Sequence, residues 1–221
     1  MKARDSTCWT LVRGAASGDP ESLESFSHFY GPVIRTYLSA RWRCSLEHED
    51  VVDGAQEIFL QCLKPGGALS RVDDQQPGGF RGYLYGITRN VALSLDARRM
   101  RARHEGLPPS LESDDPTLSA VFDRAFAAAI TREARELFQV RAQRSPNAHL
   151  RYRALELTYE RGARAEEVGR ELGLSGTAVY ALVSRARKEF RATLLQVMAS
   201  YHPEDTRAEL ERRCTELFSG Q

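Results

Sequence analysis

The chain has 221 residues, with 31 Lys and Arg against 30 Asp and Glu and a formal net charge of +1, which gives room for one large or two small domains and excludes a peptide or a tail. At 42% hydrophobic and 28% charged residues it has the makeup of a folded globular protein, not of a disordered chain. No uncharged apolar run reaches the ~18 to 20 residues of a membrane helix, and the first fourteen residues hold no apolar signal segment, so the expected compartment is the cytoplasm, without membrane insertion.

Val and Ile do not recur in period-two runs, whereas helical spacing recurs throughout, so the expected fold class is all-α. The first strong element is Val51–Leu63, where Val51, Val52, Ala55, Ile58, Phe59, Cys62 and Leu63 make one apolar stripe. Asp50, Asp53 and Glu57 lie on another face, and with Glu47 and Glu49 they give five acids in a stretch from Ser45 to Leu60 that has no Lys or Arg. Taken alone, such a face reads as a solvated helix surface. Gly and Pro at 64–67 and 76–79 then end one helix and start the next, without the pattern of a phosphate loop.

The next expected helix, Phe80 to Arg103, inverts the charge: Arg81, Arg89, Arg98, Arg99, Arg101 and Arg103 stand against the lone Asp96. Tyr83 and Tyr85 are interleaved with these cations, the combination that single-stranded nucleic acid requires, since rings stack on bases while guanidinium groups meet phosphates. The two tyrosines lie on different faces, and the competing reading puts at least one of them in the core. From His104 to Ala120 the composition breaks into three prolines and four acids without Lys or Arg, which reads as a linker. Beyond it, Val121 to Gln143 is Ala-rich and amphipathic.

Glu166 to Val183 has the arithmetic of a DNA-binding helix-turn-helix. Gly169 lets two helices approach, Gly173 makes the turn, and Val168, Leu172, Leu174, Val179 and Leu182 fill the space between the helices. Ser175 is placed as the N-cap of the second helix. Gly176, Thr177, Tyr180, Ala181 and Ser184 are then expected to face outward, followed by Arg185, Arg187, Lys188 and Arg191 for phosphates, with Glu189 opposed. The outward set itself is nearly neutral, with no Arg or Lys for bidentate guanine reading. The plainer alternative is a helical hairpin in which Gly173 is only a C-cap.

In its order of parts the chain resembles a bacterial RNA polymerase sigma factor of the extracytoplasmic-function group, within the sigma-70 family. Leu46–Leu60 is similar to region 2.2, Phe80–Leu93 to regions 2.3 and 2.4, and Tyr159–Leu194 to region 4.2, ending in Ser184-Arg185-Ala186-Arg187-Lys188. The resemblance implies two small helical domains joined by an acidic, Pro-containing linker: region 2 over residues 1–103, the linker over 104–120, region 4 over 121–195 and a C-terminal extension over 196–221. It implies that Asp50, Asp53, Gln56, Glu57 and Phe59 contact the coiled coil of the polymerase β′ subunit. Arg81, Tyr83, Tyr85, Arg89, Asn90, Arg98 and Arg99 would open and hold the −10 element. Ser175, Thr177, Tyr180, Ala181, Ser184, Arg185, Arg187 and Lys188 would contact the −35 element. The implied partners are core RNA polymerase through its β′ and β subunits, promoter DNA and, as a regulator, an anti-sigma factor.

The chain departs from the family pattern at several places. Tyr83 stands where tryptophan is usual and Ser94 where aspartate is usual, and Tyr180 and Leu182 occupy positions that are commonly basic. The tail from Gln196 overruns the family's usual end, and Thr206–Phe218 has the pattern of a further amphipathic helix through Leu210, Cys214, Leu217 and Phe218. These departures motivate the alternative of a sigma-like DNA-binding regulator or decoy without conventional promoter recognition. An enzyme is not expected: nucleophile elbow, HExxH, P-loop and GxGxxG patterns are missing, and the five histidines are dispersed singly. The four cysteines, Cys8, Cys44, Cys62 and Cys214, are scattered and read as reduced thiols. No catalytic residue, metal or cofactor is therefore expected.

Overall fold

The computed structural model describes residues 8–72, 79–103, 116–202 and 205–219. Among these the fold is all-α, as the periodicity predicts: α1 (Cys8–Ala16), α2 (Pro20–Trp42), α3 (Glu49–Leu63), a single 3-10 turn (Ala68–Arg71), α4 (Gly79–Arg103), α5 (Pro116–Ala142), α6 (Pro146–Tyr159), α7 (Ala165–Leu172), α8 (Gly176–Tyr201) and α9 (Arg207–Ser219). No helix among the described residues is long and apolar enough to cross a membrane. The chain divides into two compact units, Met1–Ala129 with Ser200–Glu204 and Ile130–Ala199 with Asp205–Gln221.

The first unit is built around α2, for which the sequence reading had no expectation. Asp19 caps it by accepting the Ser22 backbone N–H at 2.9 Å, and Pro20 takes the first helical position, where its missing N–H costs nothing. Its inner face supplies Phe26, Tyr30, Val33, Ile34, Tyr37 and Leu38, all essentially without solvent exposure. Phe80 of α4 meets Phe26 and Tyr30 at ring distances of 6.0 and 5.2 Å, and Trp9 of α1 meets Phe80 at 5.9 Å. The α3 stripe closes this core with Val51, Ala55, Ile58 and Cys62, and burial pushes the Cys62 thiol up to about 12.

A polar knot ties α2, α3 and α4 together at one end of this unit. Asp96 accepts from Trp42 Nε1 at 2.7 Å and from Arg41 Nε at 2.8 Å. The Trp42 ring lies under the Arg99 guanidinium, 4.2 Å from its centroid, and Arg99 in turn pairs with Asp50 at 2.9 Å. Gly54 makes room for the indole, because a Cβ there would stand 2.5 Å from Trp42 Cη2.

The acidic linker differs from its expected span. Residues 104–115 lie outside the described residues, and 116–120 are already helical, with Pro116 opening α5. Residues 121–129 belong to the first compact unit because Phe122 packs 5.4 Å from Tyr85 and Phe126 packs 5.7 Å from Phe29. Likewise α8 runs on past residue 195 to Tyr201, so the extension begins inside a helix.

In the second unit α7 and α8 form the expected helix-turn-helix. Gly173 adopts φ +67°, the left-handed region, and the Leu174 N–H returns to Gly169 O at 2.8 Å. A Cβ on Gly169 would lie 2.7 Å from Leu174 O and 3.4 Å from Val179 Cγ2, so the close approach requires glycine there. Ala154, Leu157, Val168, Val179 and Val183 form the core, with Leu172, Leu174 and Leu182 packed against it. The Ser175 hydroxyl accepts the Ala178 N–H at 3.4 Å, the expected N-cap. α9 forms where the tail pattern predicts it: Thr206 and Glu209 cap each other reciprocally, and Leu210 and Cys214 are buried.

Candidate functional site

On α3 the five residues expected to meet a partner helix do not share one surface. Asp53 and Gln56 are exposed. Asp50 is half-buried and turned to Arg99, while Glu57 accepts from Gln61 Nε2 at 3.0 Å and faces α4. The division follows from helical spacing: 50, 57 and 61 fall on the side toward α4, and 53, 56 and 60 on an adjacent side, roughly a quarter turn round the helix. Phe59 is partly buried, edge-on to Phe26 at 6.0 Å. It lines a groove of about 760 Å³ between α2 and α3 with Gly31, Pro32, Leu60 and Leu63, rimmed by Arg35 and Lys64. Leu60, 62% exposed, is a member of this surface that the periodicity argument passed over. The signal was available, since Leu60 is an apolar side chain lying off the apolar stripe.

The basic helix α4 is likewise divided between packing and surface. Arg81 is ion-paired with Asp123, and the Tyr83 hydroxyl donates to Ala68 O at 2.8 Å, with burial raising its pKa above the ordinary tyrosine value. Tyr85 packs between Tyr37 at 5.9 Å and Phe122 at 5.4 Å. Both tyrosines thus make packing contacts within the first unit while each remains partly exposed. Arg89 is half-buried beside Tyr37, whose pKa is raised chiefly by burial, and Arg99 serves the knot at Trp42. Asn90 and Arg98 are the exposed members, and they open on a cleft of about 330 Å³ with Gln61, Arg71 and Ser94. Glu57, Ile87, Val91 and Leu95 also line it, so the cleft joins amide, hydroxyl and guanidinium donors with one carboxylate and an apolar wall.

On α8 every residue of the expected DNA-facing set is exposed. Ser175, Thr177, Ala181, Ser184, Arg185, Arg187 and Lys188 all reach solvent, and Tyr180 is 70% exposed. From Thr177 to Lys188 they occupy about half of the helix circumference, while Val179, Val183 and Ala186 on the other half are buried. The Arg187 guanidinium lies 5.2 Å from the centroid of the Tyr159 ring, and Arg185 Nε donates to Ala181 O at 3.3 Å. Glu189, the one acid among these cations, pairs with Arg151 at 2.7 Å. No group of three or more His, Cys, Asp or Glu side chains is placed to hold a metal among the described residues.

No family model matches the chain. Over 181 residues, 80% of this chain and 64% of the relative, it is 26% identical to the ECF RNA polymerase sigma factor SigE of Mycolicibacterium smegmatis. Over 152 residues, 65% of this chain and 34% of the relative, it is 33% identical to the "Probable RNA polymerase sigma factor RfaY" of Xanthomonas campestris pv. campestris. The chain therefore spans less than two thirds of the length of these curated relatives. The chain is thus all-α, holds a formed helix-turn-helix, and is similar in sequence to RNA polymerase sigma factors, one of them of the extracytoplasmic-function group.

Proposed function

We propose that this chain binds core RNA polymerase in the cytoplasm and directs promoter-specific initiation. In this reading the α2–α3 surface docks on the β′ subunit, α4 engages the −10 element and the helix-turn-helix contacts the −35 element. The observation that carries the reading is α8, whose inner half closes a core while its outer half presents Thr177, Tyr180, Ala181, Ser184, Arg185, Arg187 and Lys188, with the cations at the far end. An apolar surface on α3 supports the polymerase contact, since Gln56, Phe59 and Leu60 line one groove and Asp53 is exposed on the same helix. Co-purification with core polymerase and a promoter-dependent transcript test the two halves of the reading.

Asp53→Ala combined with Leu60→Ala is expected to weaken core binding roughly tenfold, the scale of truncating one well-seated interface side chain, without changing the thermal midpoint. Equal binding by parent and variant in a titration against core polymerase would remove this surface from the interface. Asp50→Ala is the poorer probe, because it strips Arg99 of its partner and perturbs the fold.

Arg98→Ala is expected to flatten the salt dependence of promoter DNA binding by the polymerase complex by about one unit of slope, the counterion term of one phosphate contact. An unchanged slope would mean that Arg98 meets no phosphate. Arg99→Ala, by contrast, is expected to lower stability through the lost Trp42 and Asp50 contacts.

A further inference from the structure

The geometry points to a specific chemistry of promoter reading: α8 recognises thymine methyl groups in the −35 element and makes no bidentate guanine contact at the positions that enter the groove. This rests on the proposed reading of the helix-turn-helix as the −35 reader. In a helix-turn-helix the first turns of the second helix approach the base edges. Here those turns carry Thr177, Tyr180, Ala181 and Ser184, all exposed and none of them cationic. Guanine is read in the major groove by paired donors aimed at O6 and N7, which Arg and Lys supply and this set lacks. Thymine presents a C5-methyl there, matched by the Thr177 and Ala181 methyl groups and the Tyr180 ring.

The cations begin too late to take over the central positions. Arg185 lies eight residues beyond Thr177, about 12 Å along the helix axis, a distance comparable to the width of the major groove. Arg187 is drawn back over the Tyr159 ring and Arg185 is bonded to its own helix at Ala181 O. Arg185, Arg187 and Lys188 therefore stand at the groove edge, where phosphates lie, and supply affinity without sequence content. Glu189 does not cancel them, because it is paired with Arg151. Sequence preference is left to Tyr180 and its uncharged neighbours Thr177, Ala181 and Ser184, and Tyr180, the largest of them, becomes the residue that sets specificity.

The test uses the full chain with core polymerase on a promoter obtained by run-off transcription of genomic fragments. Each thymine of the −35 element, on either strand, is replaced by deoxyuridine, which deletes only the methyl group. Transcription is expected to fall roughly fourfold per contacted methyl, the fold-change of exposing one buried carbon. With Tyr180→Ala the same substitutions are expected to lose at least one of these effects, and Tyr180→Arg is expected to shift the preference at that position toward guanine. Undiminished transcription at every deoxyuridine, with a guanine substitution proving the most damaging, would overturn the inference while leaving the promoter reading intact. Absence of any promoter-dependent transcript would overturn the promoter reading and this inference with it.

Discussion

Gly169→Val is expected to destabilise the helix-turn-helix by about 3 kcal/mol and to lower the urea midpoint measured by circular dichroism. The obstacle is backbone: the new Cβ would meet Leu174 O at 2.7 Å, and no rotamer change relieves that contact. Either the turn at Gly173 opens, losing the 2.8 Å return bond from Leu174 to Gly169, or α7 and α8 separate and expose Val168 and Val179. Gly169→Ala should show most of the same loss, since the clash begins at Cβ. Gly173→Ala should cost less, about 1 kcal/mol, because it strains only a left-handed φ with open space around it. A midpoint unchanged in Gly169→Val would mean that the two helices do not approach as described.

The second large effect is expected at Asp96. Removing its carboxylate in Asp96→Ala leaves two donors, Trp42 Nε1 and the Arg41 guanidinium, without their acceptor in a place where Arg41 and Asp96 are only 16% and 18% exposed. Breaking such a pair costs about 3 kcal/mol, below the full buried-pair value because some water still reaches it. Trp42 supplies a direct optical probe, and its fluorescence is expected to shift with the loss of the indole hydrogen bond. Asp96→Asn should fall between, keeping an acceptor for the indole but losing the charge that holds Arg41. Equal stability of Asp96→Ala and the parent would show that the knot is a surface decoration.

Much of this architecture was legible because it follows local rules. The α3 stripe, the basic helix from Gly79 to Arg103 and the glycine pair of the helix-turn-helix each declare themselves by spacing alone. The tail helix was also readable, through Leu210 and Cys214 four residues apart. What was not legible depends on contacts far apart in sequence. Nothing in the run around Asp96 says that it accepts from residues 54 and 55 positions upstream, or that Arg99 spends its charge on Asp50 and the Trp42 ring. For the same reason Tyr85 reads as a base-stacking residue in the sequence and as a partly buried packing residue in the fold, because Tyr37 and Phe122 come to it from other helices. Outward positions on α8 escape this difficulty, since the buried half of the helix determines which half is exposed.

The proposed function of this chain is to turn core polymerase toward particular promoters. Run-off transcription on fragmented genomic DNA of the source organism, with its core polymerase and with or without this chain, tests that most directly. Discrete transcripts that appear only with the chain and share upstream elements are the predicted result. A folded chain that binds core polymerase tightly yet yields no new start site would contradict the claim and favour the decoy reading; a chain that neither binds nor redirects polymerase would contradict it outright.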